Sequence, residues 1–131
     1  LSKSVYWNFL QCEASALAQL KGLYAPKRDE TPLLVGNYLH SYFESKVSHQ
    51  AFLNEHKKQL YKYGNPEKGI KKDYKGANKM IEALENDHKF PLIYQGKKEV
   101  IVTGKIDGID WMGKLDCLSP DKTMFFDLKN C

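Results

Sequence analysis

The sequence predicts an α+β fold, an α/β sandwich in which N-terminal helices form one layer on a mainly antiparallel or mixed sheet. Two observations lead there. Up to residue 90, apolar side chains recur at three-to-four-residue intervals, the period of helices with one buried face. From residue 91 onward the chain changes to short β-branched or aromatic runs divided by Gly and Pro, the pattern of strands and turns. Helices first and sheet second give one helical layer on one sheet. The chain therefore reads as a single domain over residues 1–131, helical over residues 1–90 and sheet-forming over residues 91–131.

The first helix is expected over Ser4 to Lys21, with Val5, Phe9, Cys12, Ala16 and Leu20 inward, Ser2 or Ser4 as N-cap and Gly22 as its stop. Thr31 followed by Pro32 reads as N-cap and first helical position of a second helix, whose pattern runs through Leu39, Phe43, Val47 and Leu53 toward Tyr61. Gly64-Asn65-Pro66 ends it. A third helix is expected from Tyr74 to Asp87, capped by Asp73, with Ala77, Met80, Ile81 and Leu84 inward, and closed by Phe90-Pro91. Strands follow at Glu99 to Thr103, Lys105 to Ile109, Trp111 to Leu118 and Thr123 to Lys129, forming an antiparallel meander.

Composition narrows the class. The chain has 131 residues, 20 Lys and Arg against 16 Asp and Glu for a net charge of +4, with 42% hydrophobic and 27% charged residues. These values exclude a disordered, collagen-like or disulfide-scaffold chain. A chain of this size buries enough surface for a core without staples. No apolar run approaches the roughly 20 residues of a membrane span, and no export signal is visible, so a soluble protein is expected. The three cysteines, Cys12, Cys117 and Cys131, are odd in number and lack C-x-x-C spacing, which fits a reducing cytoplasm better than a disulfide framework or zinc cage. The chain begins at Leu1 without a methionine and stops at Cys131 directly after a strand pattern, so a piece of a longer protein is expected.

The positive charge is concentrated. Lys57, Lys58, Lys62, Lys68, Lys71, Lys72, Lys75 and Lys79 face only Glu67 and Asp73 in the same segment, a local +6 that leaves −2 for the rest, with Tyr61, Tyr63 and Tyr74 interleaved. Such a segment is either a solvated, mobile loop or a surface that contacts nucleic-acid phosphates. With 19 lysines and one arginine in the chain, phosphate contacts would be point charges and not bidentate base readers.

The last hairpin carries the chemistry. Gly113 to Leu118 and Thr123 to Lys129 flank the turn Ser119-Pro120-Asp121-Lys122. Pairing Leu118 with Thr123 sets Asp116 opposite Phe125 and diagonal to Asp127, with Asp116, Asp127 and Lys129 on one face. Diagonal neighbours about 7–8 Å apart allow two carboxylates to converge on one hard cation. Two acids side by side repel, and a divalent cation relieves the repulsion. Lys129 on the same face would help deprotonate a water and steady charge on a phosphate, a combination suited to phosphodiester hydrolysis. Asp-x-Lys triplets arise by chance about once in such a composition. Asp73-Tyr74-Lys75 and Asp87-His88-Lys89 have bland helix-end explanations, whereas Asp127-Leu128-Lys129 follows an apolar strand and has a second acid on the neighbouring one. Upstream, Gly36, His40 and Glu44 stand at four-residue steps on one helix face. His49, His56 and His88 lack such company and read as surface residues.

Gly36-x-x-x-His40, then a strand aspartate at Asp116, then Asp127-x-Lys129 resembles the PD-(D/E)-x-K nuclease superfamily in its RecB-like and RecE-like exonuclease branch. The opening Leu1-Ser2-Lys3-Ser4 with Phe9 and Cys12, and the stretch Glu99 to Ile109 before Gly113-Lys114-Leu115-Asp116, resemble phage and prophage exodeoxyribonuclease VIII-like proteins. The resemblance implies a restriction-endonuclease-like core and a metal shell of His40, Asp116, Asp127 and the Leu128 backbone carbonyl. It further implies that Lys129, Asp116 and Asp127 are catalytic, with Glu44 as a supporting residue and Glu99 a still weaker candidate. Magnesium or manganese is the implied cofactor, and a shell containing His40 tolerates manganese well. An iron-sulfur cluster, held by some relatives, needs four cysteines, and none is expected here. DNA is the implied partner. The resemblance also extends to a single-strand annealing recombination protein as a further partner and to homo-oligomers. The family pattern continues past the lysine into a helix with a Gln-x-x-x-Tyr motif, so a core truncated at its C-terminal side is expected.

Three readings result. The leading one is a metal-dependent DNA exonuclease for recombination or repair, its eight lysines from Lys57 to Lys79 holding backbone phosphates. The alternative is a non-catalytic DNA-binding module with a decayed or incomplete nuclease fold. The blandest is a surface ion-pair cluster of Asp116, Asp127 and Lys129, worth little energetically.

Overall fold

The computed structural model describes residues 1–130, and Cys131, the third cysteine, lies outside the described residues. Its helices are α1 (Lys3–Gln11), α2 (Glu13–Leu20), α3 (Thr31–Glu44), α4 (Lys46–Glu55), α5 (Lys57–Leu60), α6 (Lys72–Glu85) and α7 (Phe90–Ile93), with two 3₁₀ turns between α5 and α6. Three antiparallel strands follow in spatial order, β1 (Lys97–Ile106), β2 (Ile109–Leu118) and β3 (Phe125–Phe126). This is the α+β arrangement expected from the pattern change near residue 91.

Several long helices are shorter than the periodicity predicts, and each break has a local cause. The first helix parts at Cys12, whose backbone is extended (φ −161°, ψ 105°), giving α1 capped by the Ser2 hydroxyl and α2 closed at Gly22. Gly22 adopts φ 70°, with its N–H on the Gln19 carbonyl and the Leu23 N–H on the Ala18 carbonyl, a left-handed stop. The second helix ends at Ser45 (φ −168°), whose hydroxyl accepts the Ser48 N–H at 3.0 Å and thereby starts α4. Thr31 lies inside α3, and the Asp29 carboxylate takes its N–H at 3.0 Å. The helix expected from Tyr74 begins at Lys72, and Met80 on it faces solvent. Phe90-Pro91 opens the short α7, whose first N–H groups at Lys89 and Phe90 both reach the Asp87 carboxylate at 2.7 Å. The runs at Glu99 and Lys105 fuse into one strand.

The core lies within the helical layer. Leu34, Tyr38 and Leu39 of α3 pack with Leu60 and with Tyr74, Ala77 and Ile81 of α6. Two phenols bind α3 to α6: Tyr38 donates to Asn78 Oδ1 at 2.6 Å and Tyr42 to Glu85 Oε1 at 2.5 Å. His49 is not a surface residue. Its Nδ1 lies 2.9 Å from the buried Ser41 hydroxyl and its ring meets Tyr38 and Tyr42 edge-on, so burial lowers its pKa. The lysine-rich segment is folded rather than a free loop, since Tyr61 bridges Ile70, and Leu60 and Tyr74 at its two sides are core.

The sheet is anchored at both ends of β2. Leu1 pairs with its outer edge, donating to the Asp110 carbonyl at 3.0 Å and accepting from the Met112 N–H at 2.8 Å, and Tyr6 meets Trp111 edge-on. At the other end Gly96, at φ 131°, passes so close to Leu118 that a Cβ would collide with its carbonyl oxygen. Gly96→Ala is therefore expected to cost about 2–3 kcal/mol, combining a φ hostile to L-residues with a backbone clash. A urea unfolding curve reads this as a lowered midpoint at unchanged slope, and a wild-type midpoint would refute it.

Candidate active site

Two turns decide which side chains meet. The β1–β2 hairpin closes through Asp107-Gly108, with φ values of 52° and 76°, the positive pair that a type I′ turn requires. It pairs Ile106 with Ile109 and carries the ladder to Lys97 with Leu118. Counting along that ladder places Glu99 opposite Asp116, at a rung the ladder skips because Glu99 adopts φ 54°.

The β2–β3 connection corrects the expected register. Asp121 Oδ1 accepts from the Ser119 hydroxyl at 2.6 Å, the Thr123 N–H at 3.1 Å and the Thr123 hydroxyl at 2.8 Å, bonds that pull its pKa down to about 2. The Ser119 N–H then donates to the Met124 carbonyl at 2.9 Å, so the loop spans residues 120–123 and not 119–122. Leu118 faces Phe125 and Cys117 faces Phe126, instead of Leu118 facing Thr123. Asp116 consequently does not face Phe125. The count extends to place Asp127, just past the end of β3, directly opposite Asp116, closer than the diagonal relation expected from sequence.

Glu99, Asp116 and Asp127 thus form a row across the sheet, beneath His40 on α3. His40 Nδ1 lies 3.7 Å from Asp116 Oδ1 and 3.8 Å from Glu99 Oε1, and one ligand atom from each of these three residues falls within 4.8 Å of the others. Asp116 is only 9% exposed, and its Oδ2 accepts the Leu128 N–H at 2.7 Å. Lys129 Nζ pairs with Asp127 Oδ2 at 2.9 Å, and Lys114 Nζ pairs with Glu99 Oε2.

The charges are unequal in cost. Burial pushes the Asp116 carboxyl above its ordinary value, helped by its hydrogen bond to Asp127, while the Leu128 N–H opposes the rise. Lys129 holds Asp127 below its ordinary value. The Glu99 carboxylate raises Lys114. These residues fit a divalent cation. His40 Nδ1 is buried without a hydrogen-bond partner among the described residues. A cation with bonds of about 2.1 Å holds its donors no more than about 4.2 Å apart, so small side-chain adjustments would close this set around one.

Of the residues expected from sequence, His40, Asp116, Asp127 and Lys129 come together. Leu128 contributes its N–H to Asp116, and Glu44 lines the same cavity of about 620 Å³ as His40, Glu99 and Asp116. The eight lysines from Lys57 to Lys79 do not line that cavity. Lys71 lies toward the far end of α3, in a cavity shared with Thr31 and Leu34, and its Nζ donates to the Lys58 carbonyl. Glu99 was weakly signalled in the sequence and Lys114 not at all. The Asp-Gly turn could have found both, since a two-residue hairpin there fixes Glu99 opposite Asp116 and Lys114 one diagonal away. The burial of Asp116 argues against a surface ion-pair cluster.

A carboxylate with a raised pKa strengthens folding below its unfolded value and loses that contribution as the pH climbs through its folded value. Without added metal, Asp116→Asn is expected to melt above the wild type near pH ~8, the gap shrinking as the pH falls toward ~4. Melting temperatures across that range check this, and a variant less stable at every pH would contradict it.

No helix of the described residues is long and apolar enough to cross a membrane. No curated protein matches the sequence. The fold is similar to the crystal structure of a candidate exonuclease from Eubacterium rectale, with a TM-score of 0.77 and 30% sequence identity over 91% of this chain. This chain spans 44% of that one. Residues 2–131 match the family described as a PDDEXK-like domain of unknown function, DUF3799. With the match covering almost the whole sequence, the chain belongs to this PDDEXK-like family.

Proposed function

We propose that this chain is the metal-dependent core of a deoxyribonuclease that hydrolyses phosphodiester bonds from DNA ends. The convergence of His40 and Asp116, with Asp127 and Lys129 alongside, carries the reading. The candidate exonuclease among its structural neighbours supports attack at ends, and the resemblance to exodeoxyribonuclease VIII-like proteins supports a role in phage or prophage recombination.

In this reading His40, Asp116, Asp127 and the Leu128 carbonyl hold magnesium or manganese. The bound cation supplies Lewis acidity at a phosphoryl oxygen and lowers the pKa of water. His40 offers an imidazole nitrogen that has no other hydrogen-bond partner among the described residues, so no existing bond is lost when it turns to a ligand. The Leu128 N–H keeps one Asp116 oxygen oriented, leaving Oδ1 toward His40. Lys129, held next to Asp127, orients the attacking water and offsets negative charge growing on the phosphate. The lysines from Lys57 to Lys79, outside the cavity, hold backbone phosphates away from the scissile bond.

Calorimetric titration with manganese, followed by digestion of end-labelled linear duplex DNA, tests the site. Asp116→Asn and Asp127→Asn should each weaken manganese binding and reduce cleavage at least about a hundredfold while the fold persists by circular dichroism. Lys129→Met should bind manganese and fail to cut. Strong cleavage by both carboxylate variants would sink the assignment, and manganese binding without cleavage by the wild type would favour the non-catalytic module.

The basic segment has a separate readout. Replacing Lys72, Lys75 and Lys79 with alanine should flatten the slope of log binding constant against log salt by about one unit for each phosphate no longer neutralised. An unchanged slope would remove these lysines from the interface.

A further inference from the structure

Glu99 breaks the regularity of its strand. It has φ 54° near the start of β1, a left-handed conformation that is uncommon for a side chain of this kind and costs on the order of the strain that functional sites store. Glycine would occupy such a position freely, yet a glutamate stands there. Its carboxylate turns inward, mostly buried, with Oε1 3.8 Å from His40 Nδ1 and Oε2 on the Lys114 ammonium. A solvated strand-edge glutamate would need neither the strained backbone nor the burial.

We propose that Glu99 is a further ligand of the cation, giving Oε1 to the ion while Lys114 keeps Oε2 and so orients the carboxylate. This rests on the nuclease reading above, and it adds a strand β1 ligand to the shell of His40, Asp116, Asp127 and Leu128. The geometry is that of a carboxylate divided between two cations. One oxygen already has a permanent partner, and the other points at a histidine nitrogen too far away for a hydrogen bond. Glu99 and Asp116 face each other across the hairpin, so a cation bound between them would tie β1 to β2 through side chains at the rung the backbone ladder skips. Lys114 acts through Glu99 and is a positioning residue.

Manganese titration by calorimetry and by the electron paramagnetic resonance of free ion tests this on the full chain, comparing wild type, Asp116→Asn, Glu99→Gln, Glu99→Asp and Lys114→Met. Glu99→Gln and Lys114→Met both break the ion pair, and only the first removes an anionic oxygen. Glu99→Gln should weaken manganese binding about tenfold or more, in the range seen when groups of a metal shell are altered. Lys114→Met should lose less affinity than Glu99→Gln, because the anionic oxygen remains and only its orientation is lost, while a repelling positive charge is also gone. Glu99→Asp, which tolerates the left-handed backbone but is one methylene shorter, should bind more weakly than wild type and guards against misfolding of the glutamine variant. Wild-type affinity in Glu99→Gln, with binding lost in Asp116→Asn, would overturn this proposal and leave the nuclease reading standing. Equal losses in Glu99→Gln and Lys114→Met would make Glu99 a structural ion-pair partner and also overturn it. A wild type that binds no manganese would overturn both.

Discussion

Mutual repulsion among three neighbouring carboxylates on one sheet is the constraint around which this structure is arranged. Glu99, Asp116 and Asp127 stand in a row, and the central one is 9% exposed, where water cannot fully dissipate its charge. The protein meets that cost unequally. The outer two acids each have a lysine, Lys114 for Glu99 and Lys129 for Asp127. Asp116 has a backbone N–H and a histidine nitrogen 3.7 Å away, and its carboxyl is pushed upward accordingly. A folded domain selected for stability alone would place a neutral or apolar residue at Asp116. Under the metal-dependent reading proposed above, a cation among these acids would offset that cost.

Helix α3 makes that arrangement possible because its faces have different duties. Leu34, Tyr38 and Leu39 enter the helical core, and Tyr38 and Tyr42 are bound to α6 through their hydroxyls. The helix is thereby fixed before any metal is considered. His40, between the buried positions Leu39 and Ser41, projects over the sheet, and Gly36 one turn earlier lies beside Asn130, whose side chain would be in ordinary van der Waals contact with a Cβ at that position. The glycine-to-histidine spacing that stands out in the sequence therefore places both residues on the face of α3 that meets the end of the chain. Gly36 lies beside Asn130, and His40 faces the acids that precede Lys129.

How far the sequence disclosed this depended on what each feature needs. Binary patterning was sufficient for the helix-then-sheet order, and for most of the inward side of α6, Met80 excepted, because burial repeats every few residues. It missed the helix breaks at Cys12 and Ser45, where one extended residue costs little in pattern yet turns the chain. The site residues His40, Asp116, Asp127 and Lys129 were legible from spacing and from family resemblance. Their mutual register was not, since it hangs on Asp121 drawing Ser119 and Thr123 onto one oxygen and moving the loop by one residue on each side. Glu99 was only weakly legible for a related reason. Its place opposite Asp116 follows from the register that the Asp107-Gly108 turn sets, and its positive φ cannot be read from strand alternation.

The separation of the two charged regions has its own logic under the nuclease reading. The acidic row and Glu44 would repel a polyanion at short range, with Lys114, Lys129 and a bound cation to counter them. Lys71 meets α3 near Thr31 and Leu34, whereas His40 lies nine residues beyond Thr31, about 13 Å along the helix. Lys57 and Lys58 follow directly on Glu55 and His56, which line the acidic cavity, so the segment starts at the edge of that cavity and reaches the start of α3 at Lys71. A DNA strand laid along α3 would have one stretch of backbone gripped by fixed positive charge and another delivered to a pocket whose charge balance depends on the metal. Binding and cutting then rest on different residues, so the loss of one leaves the other measurable.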